Sequence, residues 1–133
     1  MIRAIPPAPP GIVPPGAIGH NRGVVTRSYA FLPPEGILES RVPQLADTIV
    51  RFQATPAMGA DFVQTIWEIA PGGGHRERHQ DKLQHFFLVL EGEITFELAD
   101  LAPRVLGLNA YAYLPPGSSF AVRNSGTAPA RVL

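Results

Sequence analysis

Proline interrupts this chain too often for long helices. Of its 15 prolines, ten stand in adjacent pairs: Pro6-Pro7, Pro9-Pro10, Pro14-Pro15, Pro33-Pro34 and Pro115-Pro116. Each proline fixes φ and removes a backbone donor, so a helix that reaches one is kinked or ended. Thirteen glycines add further breaks. What fits between the breaks is short, apolar and often alternating. The expectation is an all-β chain of short strands.

Met1 to Gly19 forms a Pro-rich arm without apolar periodicity, expected to be extended and to lie outside the folded part. It reads either as a simple tail or as a polyproline docking ligand. His20 to Gly23 is polar and turn-like. Gly23 to Leu32 reads as one β-rich strand, stopped by Pro33-Pro34. Ile37 to Val42 and Asp47 to Thr55 follow as strands. Asp61 to Ala70 alternates most clearly, with Val63, Thr65, Trp67 and Ile69 on one face and Gln64 and Glu68 on the other. Pro71 to Lys82 reads as a polar loop, in which His75 is expected to be exposed and Arg76, Glu77 and Arg78 to form a solvated turn. Leu83 to Leu90 and Glu93 to Leu98 make a hairpin about Gly92, with Ile94, Phe96 and Leu98 pointing inward. Arg104 to Leu106, Ala110 to Leu114, Phe120 to Arg123 and Ala130 to Leu133 complete the strands. Short strands at this spacing fit a sandwich or barrel.

The bulk properties narrow the function classes. A length of 133 residues is one domain's worth of chain, and 45% apolar residues suffice for a core. Eleven basic residues balance eleven acidic ones, so nothing in the charge points to nucleic acid or an anionic membrane. Cysteine is absent, which excludes thiolate chemistry and disulfides. No apolar run approaches the ~18 residues of a membrane span. A soluble, cytoplasmic protein is expected.

Chemistry concentrates in two stretches. In the first, Gly73 is followed after five residues by His79, then by Asp81, His85 and Gly92. In the second, Pro115-Pro116-Gly117 is followed by Phe120 and Asn124. These spacings resemble the two signature motifs of the cupin superfamily, G(x)5HxH(x)3-4E(x)6G and PxG(x)2H(x)3N. Gly73, Gly92, Pro115, Gly117 and Asn124 match the framework positions. His79 matches the first ligand position. Asp81, His85 and Phe120 stand where the pattern has histidine, glutamate and histidine. The resemblance implies a cupin-type antiparallel β-barrel, or jelly roll, in which these side chains converge. His79, Asp81 and His85 are then the candidate metal ligands, since imidazole and carboxylate both suit a divalent cation. Phe120 cannot donate and takes up coordination space, so the expectation is that no ion is held tightly. The alternative reading makes His79 and His85 ordinary hydrogen-bonded histidines.

A wider resemblance, from His20 to the end, is to the N-terminal half of the (S)-ureidoglycine aminohydrolase family. It rests on GVVTRSYAF (23–31), PPEG (33–36), MGADF (58–62), Phe86 to Gly92 and Tyr113 to Gly117. That family consists of bicupins of purine-ureide (allantoin) catabolism that release ammonia from S-ureidoglycine and leave S-ureidoglycolate. The resemblance implies a degenerate, mainly structural barrel over residues 20–133, with the manganese site and the contacts to the small-molecule ureide in a second cupin. No catalytic residue can then be assigned to a position here.

Three functions stay open on the sequence. The chain is the first cupin of such an aminohydrolase, a stand-alone metal cupin using His79, Asp81 and His85, or a non-catalytic assembly module. A homo-oligomer is expected, because the apolar segment Ala130 to Leu133 reads as leading into a second cupin, and the barrel surface that would pack on it is left open to a partner.

Overall fold

The computed structural model describes residues 2–4 and 23–133. The rest of the arm and His20 lie outside the described residues. The described elements are strands with two 3-10 turns, Pro34–Gly36 and Pro56–Met58. No helix among the described residues is long and apolar enough to cross a membrane.

The strands in chain order are β1 (Ile2–Ala4), β2 (Val24–Thr26), β3 (Ala30–Phe31), β4 (Glu39–Ser40), β5 (Leu45–Ala54), β6 (Gln64–His75) and β7 (His79–Gln80). After them come β8 (His85–Glu91), β9 (Ile94–Leu98), β10 (Leu101–Leu106), β11 (Tyr111–Leu114), β12 (Ser119–Arg123) and β13 (Ala130–Val132). Two compact units result, residues 1–39 with 51–65, and residues 40–50 with 66–133.

The smaller unit holds a three-stranded antiparallel sheet in the order β1-β2-β3. The expected single strand from Gly23 to Leu32 is therefore two strands. The cause is Thr26, whose hydroxyl accepts the N–H groups of Ser28 and Tyr29 at 3.1 and 3.0 Å and turns the chain. The arm is not wholly outside the fold either, since Ile2–Ala4 pairs with β2.

The larger unit is a nearly closed antiparallel barrel, with strand order β10-β9-β12-β6-β13-β8-β11. Alternation builds its core. Ile69 from β6, Phe87 and Val89 from β8, Ile94 and Phe96 from β9, Phe120 and Val122 from β12, and Ala130 and Val132 from β13 are all buried. Trp67, Leu98, Leu106 and Ala112 pack against this cluster. Val63 lies before β6 and is exposed, so the inward face of that strand begins later than its pattern suggests.

β6 serves both halves of the barrel. Its first part pairs with β13, Trp67 opposite Val132 and Ile69 opposite Ala130. Its last part pairs with β12, Gly74 opposite Arg123. The segment expected to be a loop after Pro71 is thus strand as far as His75, and it bends at its glycines to pass from one half to the other. Asn124, 1% exposed, fastens this corner. Its Nδ2 donates to the carbonyls of Ile69 and Ala128 at 2.9 and 2.8 Å, and its Oδ1 accepts the N–H of Gly126 at 3.0 Å. Its backbone exchanges bonds with Gly72 and Gly73 at 2.8 and 2.9 Å.

The end of the chain is a strand, as expected. β13 lies between β6 and β8, and Ala130 and Val132 are buried. Leu133 exchanges two backbone bonds with Leu88 at 2.8 and 2.9 Å. This segment is paired on both sides, so it offers no open strand to a partner.

Candidate functional site: a histidine–aspartate cluster closed by a phenylalanine

The barrel brings the two motifs together. β7 pairs with β12, which sets His79 opposite Phe120. β8 pairs with β11, which sets His85 opposite Leu114. The Pro115–Gly117 turn is tied to the loop between β7 and β8. Gly117 N–H donates to the Asp81 carbonyl at 2.9 Å, and Gln80 Nε2 donates to the Gly117 carbonyl at 3.0 Å. The proline turn of the second motif therefore fixes the position of the donors of the first.

His79, Asp81 and His85 converge, with one ligand atom from each within 4.8 Å of the others. The Asp81 carboxylate sits between the two rings. His79 Nε2 donates to Oδ2 at 2.7 Å, and His85 Nε2 donates to Oδ1 at 2.9 Å. Leu83 N–H donates to Oδ1 at 2.8 Å. Partial burial raises the Asp81 pKa, but the bonds from His85, His79 and Leu83 outweigh it and hold the carboxyl at about 2. An ionised carboxylate only accepts, so both Nε2 atoms carry protons in this clasp.

Phe120 fills the other side. It is 1% exposed, and its ring centroid lies 5.0 Å from His85, 5.5 Å from His79, 5.6 Å from His75 and 5.7 Å from Phe87. The contacts with His79, His75 and Phe87 are edge-on, placing the positive ring edge of one aromatic on the face of another, and the contact with His85 is tilted. The phenyl group closes the donor cluster from the core side.

His75 belongs to the same cluster, although the sequence reading put it in an exposed loop. It is 7% exposed and stacks on His79 at 5.8 Å, with Trp67 edge-on at 5.4 Å. A signal for it was available. Counting by twos from Trp67 and Ile69 passes through Gly73 and reaches His75, so the inward face of β6 continues through the glycines. Arg76, Glu77 and Arg78 are exposed as expected, and Arg76 Nε reaches the Pro43 carbonyl at 3.1 Å.

Val122 N–H donates to His75 Nδ1 at 3.0 Å, which requires a lone pair on that nitrogen. Burial, with nearby His79 adding to it, pushes the His75 pKa from 6.5 to about 4. The unfolded chain therefore binds a proton that the folded chain refuses between those values. Stability is full above pH 6.5 and falls as the pH drops towards 4, by on the order of 3 kcal/mol for this residue. Urea unfolding followed from pH 7 to pH 4 checks this. His75→Asn, whose Oδ1 can accept the Val122 N–H, is expected to flatten that part of the slope.

Comparison with known proteins agrees with the geometry. Residues 65–133 match the family model described as a cupin domain. The (S)-ureidoglycine aminohydrolase of Arabidopsis thaliana is 30% identical over 98 residues, covering 74% of this chain and 33% of that protein. The (S)-ureidoglycine aminohydrolase of Escherichia coli (strain K12) is 29% identical over 100 residues, covering 74% of this chain and 38% of that protein. The chain thus spans little more than a third of these relatives. Among solved structures, the protein Ylba from E. coli superposes with a TM-score of 0.75 at 25% identity, over 85% of this chain and 47% of that one.

Proposed function

The chain belongs to the cupin domain family, and from that premise we propose that it acts as the structural barrel of an (S)-ureidoglycine aminohydrolase-like protein of ureide catabolism. In that reading the hydrolysis of S-ureidoglycine to S-ureidoglycolate and ammonia takes place at a manganese-bearing second cupin. This barrel supports that cupin and does no chemistry of its own. The cytoplasmic location expected for a cysteine-free chain forms part of the same proposal.

The observation that carries the reading is Phe120, buried against His75, His79 and His85. The cluster suits a divalent ion in donor type, with two imidazoles and one carboxylate. It does not suit one as a resident. The Nε2 atom of each imidazole is engaged as a donor to Asp81, so an ion bound through those atoms has to displace their protons. The fourth direction is occupied by a phenyl ring rather than by a ligand or water.

A second reading, a stand-alone metal cupin, draws on the same convergence of His79, Asp81 and His85 within 4.8 Å. One preparation separates the two. The chain is dialysed, its manganese, zinc and iron are measured, and ammonia release from S-ureidoglycine is followed against the spontaneous rate. Substoichiometric metal and no added ammonia release are expected. A full equivalent of retained metal together with ammonia release favours the second reading, and His79, Asp81 and His85 then become the first residues to mutate.

A further inference from the structure

Among the described residues the main path of the barrel sheet ends in two edge strands, β10 and β11, and they differ in kind. An unpaired edge invites another strand, and proteins blunt such edges with proline, charge or a bulge. β10 carries all three: Pro103, Arg104 and a register irregularity between Leu101 and Arg104. β11 reads Tyr-Ala-Tyr-Leu and carries none of them.

The outward face beside β11 is aromatic. Tyr113 stands opposite Phe86 and Tyr111 opposite Leu88, so all four side chains share one face. Phe86, Tyr111 and Tyr113 are 55%, 65% and 53% exposed, and Leu108 in the preceding turn is 65% exposed. Phe86 and Tyr111 stack at 5.5 Å. Together these side chains present roughly 400–500 Å² of surface, as large as the largest patch on a typical monomer. That is about half of the ~800 Å² that each partner buries in a standard interface, and Leu88 and the surrounding residues can supply the remainder.

We infer that β11 and its aromatic face bind a second copy of this chain, the two β11 edges running antiparallel about a two-fold axis. A strand related to itself by a two-fold axis is necessarily antiparallel to its copy, so the contact is self-complementary without any further feature. The patch has no formal charge, so two copies do not repel. Tyrosine hydroxyls both donate and accept, as Tyr113 does in donating to Gln84 Oε1 at 2.9 Å, and can therefore pair with their own kind. The nearby ion pairs of Arg131 with Glu91 and Glu68, at 3.0 and 3.9 Å, alternate in sign and suit the polar rim of such an interface. Because β10 is blunted and β4 and β7 are two residues long, another β11 is the best-matched edge in the barrel sheet for β11 to join. Association closes at two copies and does not grow into a filament.

The test is sedimentation equilibrium of the 133-residue chain at micromolar concentration. A dimer is expected. Tyr111→Lys and Phe86→Glu, each placing a charge in the patch, are expected to raise the dissociation constant at least about 30-fold. Leu101→Lys on the β10 edge is expected to leave it unchanged. Hydrogen exchange of the unaltered chain gives a reading independent of how the variants fold. Amides of Tyr111 to Leu114 should gain protection as concentration rises, and those of β10 should not. A monomer across this range overturns the inference, as does a dimer indifferent to both patch substitutions or one whose added protection lies on β10. The monomer result also covers the case in which a different barrel occupies this face.

Discussion

Phe120→His is expected to turn a chain that loses divalent metal on dialysis into one that retains about one equivalent. The other three donors need no rearrangement of strands. His79, Asp81 and His85 already lie within 4.8 Å of one another, and the Phe120 ring sits 5.0 to 5.5 Å from the two histidine rings. A histidine on the same backbone places a fourth donor where the phenyl group now excludes one. The change has a cost without metal. It removes a core aromatic and buries a polar group in its place, for about 2–4 kcal/mol. Metal binding to the folded state alone offsets that loss, by an amount that grows with the logarithm of the metal concentration. The variant should therefore melt lower than the parent in chelator and regain stability as manganese or zinc is added, while the parent shows little metal dependence. An equal metal-induced rise in the melting temperature of the parent runs against the role given to Phe120. A variant that folds and takes up no metal runs against the convergence of the donors.

How far the sequence could be read depends on which physical rule governed each residue. Burial on one face of a strand imposes a period of two, so Ile94, Phe96 and Leu98 were legible as an inward row, and the first two are buried. The spacings that identify His79, Asp81 and His85 survive because a turn and a strand register fix them. Three features run against the plain pattern, each for a physical reason. Thr26 turns the chain through its own side chain, which a propensity reading of Gly23 to Leu32 does not register. His75 follows three glycines, and glycine clusters signal loops on composition while also permitting a strand to pass close to another backbone. Ala130 and Val132 are apolar because their strand lies in the middle of a sheet and both side chains are buried. An apolar strand reads the same there and at an open edge until its neighbours are known. The exposed aromatic face at β11 escaped for a related reason. Alternation shows that Phe86, Tyr111 and Tyr113 point away from the core, and it does not say whether anything covers them.

Gly74→Val is expected to cost ~4 kcal/mol or more, a large fraction of the about 5–15 kcal/mol that holds a domain folded. The three glycines at the β6 corner look alike in sequence and differ in what they permit. Gly72 has φ +82°, yet an added Cβ there meets nothing within 4 Å. Gly72→Ala should therefore cost only the left-handed backbone, about 1 kcal/mol. At Gly73 a Cβ comes within 2.7 Å of the Ala46 carbonyl oxygen and 2.9 Å of that of Asp47. At Gly74, with φ +118°, a Cβ collides with the Val122 carbonyl oxygen and lies 2.7 Å from the Arg123 Cα. Both atoms are backbone of β12, and β12 cannot retreat. Its other edge is paired with β9 from Phe120 to Arg123, and Asn124 holds its end to Gly72 and Gly73. Relief of the collision has to separate β6 from β12, which carries His75 away from Val122 and Phe120 away from the histidines. The effect should thus reach the candidate site as well as the melting temperature. Thermal unfolding of the Gly72→Ala and Gly74→Val chains side by side provides the measurement. A Gly74→Val chain that melts within a few degrees of the Gly72→Ala chain would show that β12 is not fixed in this way.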